Sequence, residues 1–116
     1  MNSFIVISEL EVFYRVGVPD EERAQPQRLL LNIEIAYDFT QAAETDDLRT
    51  TIDYYSVCSR LLSFGEKREW KLIEKLADDI AEMILTDFGA GRVQVEVRKF
   101  IIPQTNYVAV KLVRSR

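Results

Sequence analysis

No histidine occurs among the 116 residues, and Cys58 is the only cysteine. The first absence removes Ser-His-Asp and Cys-His nucleophile pairs from consideration. The two together exclude a disulfide within one chain and the His/Cys ligand sets typical of zinc enzymes. No apolar run approaches the ~20 residues that cross a bilayer as a helix. Met1-Asn2-Ser3-Phe4 has neither the charged nor the apolar region of a signal peptide. Basic side chains are outnumbered by acidic ones, 15 to 19, which speaks against the basic footprint of a nucleic-acid binder. Only four glycines and three prolines punctuate the chain, with no repeat or low-complexity stretch. The expectation is one cytosolic domain, residues 1–116, free of membrane and nucleic acid. Its chemistry, if it has any, runs on Glu, Asp, Lys, Tyr and backbone groups, without metal or cofactor.

What is present falls into alternating patterns. Phe4 to Val16 is rich in β-branched and aromatic residues, and Leu10, Val12 and Tyr14 alternate with Glu9, Glu11, Phe13 and Arg15, which predicts a strand. Gly17-Val18-Pro19-Asp20 interrupts it and a charged loop follows to Gln27. A second strand is expected over Arg28 to Tyr37, with Leu31, Ile33, Ile35 and Tyr37 on one face and Asn32 and Glu34 on the other. Val57, Leu61 and Phe64 mark a helix from about Tyr54 to Phe64, capped by Asp53 and ended by Gly65. Leu72, Ile73, Leu76, Ala77, Ile80, Ile84 and Leu85 trace a second, wider helical stripe. Val93, Val95 and Val97, then Val108, Val110 and Leu112, mark two closing strands.

The pattern reads ββααββ, an α+β fold with a four-stranded antiparallel sheet and two helices on one face. Two helices cover only one sheet face, so the other, with Asn32, Glu34, Gln94, Glu96 and Arg98, stays polar and both sheet edges stay unpaired. Unpaired edges recruit another chain. The expectation is therefore a homo-oligomer joined through sheet edges, as a barrel with a polar interior. A monomer with one wet sheet face is the alternative.

Few residues break these patterns. The strand phase of Val93, Val95 and Val97 carries Lys99 to the helix-covered side. A lysine there is either desolvated and tuned for proton transfer, or it snorkels to solvent where the strand ends. Glu21 and Glu22 are neighbouring carboxylates, either an acid–base pair or solvated loop charge. Glu74 falls in the first turn of the long helix, where the dipole favours it and where a carboxylate also suits a flat, amidine-like group. Tyr54 and Tyr55 are stacking surfaces or packing, Cys58 reads as a small buried hydrophobe, and Glu66 to Glu69 as a solvated charge run.

In their order and spacing these residues resemble the dihydroneopterin aldolase family. The resemblance rests on Gly17-Val18-Pro19-Asp20-Glu21-Glu22 with Gln27, Thr45-Asp46-Asp47 with Ile52-Asp53-Tyr54, Leu72-Ile73-Glu74-Lys75-Leu76-Ala77, and Val95-Glu96-Val97-Arg98-Lys99. It implies the tunnelling fold, in which such subunits join into rings, tetramers or octamers, with sites at subunit interfaces. It implies cleavage of 7,8-dihydroneopterin into 6-hydroxymethyl-7,8-dihydropterin and glycolaldehyde, a carbon–carbon lyase reaction in which the imine of the pterin ring replaces a metal or a Schiff base. By the same resemblance Glu74 and the Ile73 backbone hold the pterin ring, and Ile52, Asp53 and Tyr54 wall the ring from a neighbouring subunit. Tyr54 and Lys99 serve proton transfer, Glu22 and Lys99 handle the side-chain hydroxyls, and the Val18 backbone touches that side chain.

Two positions depart from the common aldolase pattern. Val16 stands where many members have His, and Phe100-Ile101-Ile102-Pro103 follows Lys99 where proline is common. An apolar residue after the lysine is similar to the sister dihydroneopterin triphosphate 2′-epimerases. A triphosphate reader should present extra cations, and Arg15, Arg23 and Arg98 are the available ones. A pterin-binding ring protein without turnover is the remaining alternative.

Overall fold

The computed structural model describes residues 2–116. The elements, in chain order, are β1 (Phe4–Val16), α1 (Asp20–Arg23), β2 (Gln27–Ala36), α2 (Thr40–Thr45), α3 (Tyr54–Ser63), β3 (Glu69–Trp70), α4 (Ile73–Asp87), β4 (Arg92–Lys99) and β5 (Val108–Ser115). A 3-10 turn, Leu48–Thr50, lies between α2 and α3. The sheet order is β3-β1-β2-β4-β5. Pairing is antiparallel throughout except for the short β1–β3 contact.

Alternation explains which face is buried. Leu31, Ile33 and Ile35 of β2 and Val93, Val95 and Val97 of β4 are fully buried beneath Leu61 of α3 and Leu76, Ile80 and Ile84 of α4. In β1 the inward set changes parity, from Ile5 and Ile7 to Leu10, Val12 and Tyr14. A strand has period two, so this switch demands one extra residue. The register accordingly slips between Ile7 and Leu10. Glu9 takes up the slack at φ 54°, and its N–H is satisfied by Asn32 Oδ1 at 2.8 Å.

Asp53 caps α3 as expected, accepting from the N–H groups of Tyr55 and Ser56 at 3.0 and 3.4 Å. The helix runs antiparallel to α4: Arg60 pairs with Asp87 near the end of α4, and Arg68, beyond the end of α3, reaches back to Asp79.

The sheet has five strands, not the four expected. Arg15 and Val16 pair in parallel with Glu69 and Trp70 of β3, between the two long helices. Two residues carry no readable period, and Glu69 sits in what reads as a solvated charge run. That run is structured: Trp70 stacks on Phe64 at 5.8 Å, Arg68 lies over both rings, and Trp70 Nε1 donates to Asp79 Oδ2 at 2.9 Å. The charged loop before β2 likewise contains the single turn α1, and α2 adds a further short helix. Among the described residues β5 pairs only with β4, and β3 covers only the last two residues of β1, so most of both outer edges is open.

Candidate active site

The register of β2 and β4 sets Lys99 opposite Leu29, at the sheet end where β2 begins. Its side chain follows the inward phase of Val95 and Val97 and is only 13% exposed, so it does not snorkel. Its Nζ meets Glu22 Oε2 at 2.5 Å. Glu21, by contrast, is exposed, so the two adjacent carboxylates do not form a pair.

Glu22 reaches Lys99 because of Gly17. The glycine has φ +146°, and a Cβ on it would overlap the Glu22 carboxyl group and lie 2.6 Å from Glu22 Cγ. Only a residue without a side chain lets the carboxylate lie across the strand end. Gln27 completes the support, its Nε2 donating to Val16 O at 2.6 Å and to Glu22 Oε2 at 3.2 Å. Burial opposes ionisation of Glu22, but the hydrogen bonds from Lys99 and Gln27 and the lysine charge outweigh it. The carboxyl is held below its ordinary value. Oε2 takes both donors, which leaves Oε1 without a protein donor among the described residues.

The segment leading to α4 is fastened to this loop, with Gly17 N–H donating to Trp70 O at 2.9 Å. Two residues on, α4 starts without a side-chain cap at Leu72, Ile73 is buried, and Glu74 is exposed in the first turn. Glu74 has no ion-pair or hydrogen-bond partner among the described residues. A free carboxylate at an uncapped helix start offers acceptors and N–H donors side by side, the complement of a flat ring edge that carries both.

Tyr54 is not here. α3 begins near the end of α4, and Thr50, four residues before Tyr54, lines a cleft with Ala36, Tyr37, Gly89 and Gly91 at the opposite sheet end. Leu29 to Ala36 spans about 23 Å of strand. Within one chain, then, Val18, Glu22, Ile73, Glu74 and Lys99 gather at one end, while Ile52, Asp53 and Tyr54 lie at the other. Ile52 is buried, Asp53 serves the cap, and Tyr54 is 63% exposed. Cys58 is half-buried, and burial pushes its thiol up.

Sequence patterns do not disclose the supports. Gln27 reads as the last residue of a loop, Trp70 as an isolated aromatic, and Arg23 as loop charge, although Arg23 is only 8% exposed. No spacing rule signals a buried arginine, because two of its partners are backbone carbonyls and a third, Glu69, comes from a remote segment.

The geometry has counterparts in known proteins. The family model described as FolB: Dihydroneopterin aldolase matches residues 5–113. The dihydroneopterin aldolase of Haemophilus influenzae is 32% identical over 112 residues, covering 96% of this chain and 95% of the relative. The dihydroneopterin triphosphate 2′-epimerase of Pseudomonas aeruginosa is 23% identical, over 82% of this chain and 77% of its own. Among solved structures, a putative dihydroneopterin aldolase from Vibrio cholerae superposes with a TM-score of 0.93 at 31% identity, over 98% of each chain. The Escherichia coli dihydroneopterin aldolase in complex with neopterin gives 0.91 at 27% identity, over 97% of this chain and 99% of that one. The chain thus belongs to the dihydroneopterin aldolase family.

Proposed function

We propose that this chain is a cytosolic dihydroneopterin aldolase that cleaves the C1′–C2′ bond of 7,8-dihydroneopterin without a metal, at sites shared between two copies. One observation carries the reading. Lys99 is desolvated against Glu22 in a strand-end recess whose second carboxylate oxygen is free. Such a pair can hold a hydroxyl and move its proton.

The reaction follows from that inventory. Glu74 and the open start of α4 hold the ring edge, and Glu22 Oε1 accepts from a side-chain hydroxyl. Lys99, acting as the free amine once its own proton has left to solvent, takes the 2′-hydroxyl proton directly or through a water. The O–H electron pair becomes the carbonyl of glycolaldehyde as C1′–C2′ breaks, and the bond electrons move into the ring imine. Reprotonation at C1′ then gives 6-hydroxymethyl-7,8-dihydropterin. The ring is its own electron sink, and among the described residues no group of three or more metal-ligating side chains converges. Tyr54 lies too far from Lys99 in one chain to join this step. An adjacent copy, docked along the open edges of β1 and β5, supplies it together with Ile52 and Asp53.

The triphosphate epimerase is disfavoured by the arginines it needs. Arg15 donates to the carbonyls of Arg23 and Ala24, Arg23 is buried in the loop, and Arg98 is paired with Glu96 at 2.9 Å while stacked over Tyr107. Each is already engaged within the chain. The test is product analysis with 7,8-dihydroneopterin and, separately, its triphosphate. Glycolaldehyde and 6-hydroxymethyl-7,8-dihydropterin from the former are expected. Epimer formation from the triphosphate as the main activity, or neopterin binding with no turnover of either, would overturn the reading.

A further inference from the structure

We propose that Arg23 is a positioning residue for the substrate side chain, one that presents the Val18 N–H and sets Glu22 against Lys99. The proposal rests on the aldolase reading of the site and adds to it a residue that never meets the substrate.

The buried guanidinium makes four contacts. Nη1 donates to Gly17 O at 2.7 Å and Val18 O at 2.8 Å, Nη2 to Asp20 Oδ1 at 2.6 Å, and Nε to Glu69 Oε1 at 3.1 Å. These acceptors lie on different sides of one planar fork, an arrangement a lysine ammonium cannot reproduce.

Each contact has a consequence. Peptides are planar and, among the described residues, all trans, so a carbonyl and the following N–H point in opposite directions. Drawing Gly17 O inward to Arg23 therefore turns the Val18 N–H outward. Among the described residues that N–H has no acceptor, and it follows directly on the glycine that Glu22 covers. A donor aimed outward beside a free carboxylate oxygen complements a vicinal hydroxyl pair.

The second consequence concerns α1. A four-residue helix has no stability of its own, so the turn that carries Glu22 must be held from outside. Arg23 binds Asp20 across it, and the Glu22 N–H donates to Pro19 O at 3.1 Å. The third is distance. Through Glu69, the neighbour of Trp70, the same guanidinium ties the loop to the segment that starts α4. One side chain thus relates the ring-holding and side-chain-holding parts of the site.

The experiment uses Arg23→Lys, Arg23→Gln and Glu69→Gln in the full chain. Turnover of 7,8-dihydroneopterin is followed along with the affinities for neopterin and for pterin, which has the ring but no side chain. Arg23 variants should lose about 30-fold or more in kcat and about tenfold in neopterin affinity, with pterin affinity within about twofold. Glu69→Gln, which weakens one contact of four, should shift the neopterin-to-pterin ratio in the same direction by about threefold. Equal losses for both ligands, or an unchanged ratio with kcat intact, overturn the proposal. If neither Arg23 variant folds, the Glu69→Gln ratio decides alone, and no change there overturns it. Absence of turnover by the unaltered chain sinks the aldolase reading, while the ligand ratio still judges Arg23.

Discussion

Glu22 and Lys99 meet at 2.5 Å from two elements that share no hydrogen-bonded register, a one-turn helix and the last residue of β4. Each removes the other's reason to reach solvent, and so both functional groups stay at the strand end. Lys99→Ala tests what that contact does. It should lower kcat by about 10²–10⁴-fold, the range of a lost general base, with pterin affinity kept because Glu74 and Ile73 are untouched. Steady-state kinetics beside a fluorescence titration with pterin checks this, and full activity in the variant would remove Lys99 from the mechanism.

Gly17→Ala should be nearly as damaging although no polar atom is lost. A methyl group there displaces the Glu22 carboxylate, and the backbone at φ +146° is one that L side chains rarely adopt. The strain is on the order of 1–3 kcal/mol. Denaturant unfolding should register that loss, and kcat should fall by about tenfold or more as Glu22 leaves Lys99. A variant as stable and as active as the parent would mean that the carboxylate has another resting place.

Stability should also depend on pH through Glu22. Burial raises its proton affinity, but Lys99 and Gln27 pull it down further, so the folded value lies below the ordinary 4.5. The unfolded state then binds the proton more tightly. The contribution is present in full above the unfolded value and is lost as pH falls through the folded one. Unfolding free energies of the parent and of Glu22→Gln, measured between pH 7 and pH 3, should converge on acidification. A constant gap would show that the ion pair carries no linkage.

The central fold was legible because it is written in periods. β2 and β4 pair without a register shift, and the same phase that buries Val93, Val95 and Val97 turns Lys99 inward, although Leu30 and Glu96 on the other phase are buried too. The bulge in β1 leaves only a parity change between Ile7 and Leu10, a mark that the plain alternation of Leu10, Val12 and Tyr14 passes over. β3 has two residues and no period. Its presence depends on Trp70 finding Phe64 and Asp79, contacts that exist only after the helices pack. For the site, strand phase leaves Lys99 a choice between desolvation and snorkelling, and the choice is made by Glu22, a residue on another element. The resemblance to a family supplied that partner; spacing alone did not. Arg23 was unreadable because two of its partners are backbone carbonyls, which no residue pattern marks, and one carboxylate comes from β3.

The separation of Tyr54 from Lys99 gives the sharpest test of a shared site. If Tyr54 of one copy completes the recess of another, Tyr54→Phe and Lys99→Ala place their lesions on opposite sides of each interface. Each variant alone has every site damaged. In an equimolar mixture refolded together, a site is whole only when a Tyr54→Phe chain supplies Lys99 and a Lys99→Ala chain supplies Tyr54. Random assembly makes that about one site in four, so the mixture should recover about a quarter of the parent activity. If both residues served the same chain's site, mixing would restore nothing, because no chain in the mixture carries both. A recovery confined to co-refolded samples, and absent when the folded variants are merely combined, would further assign it to exchange of chains within the oligomer.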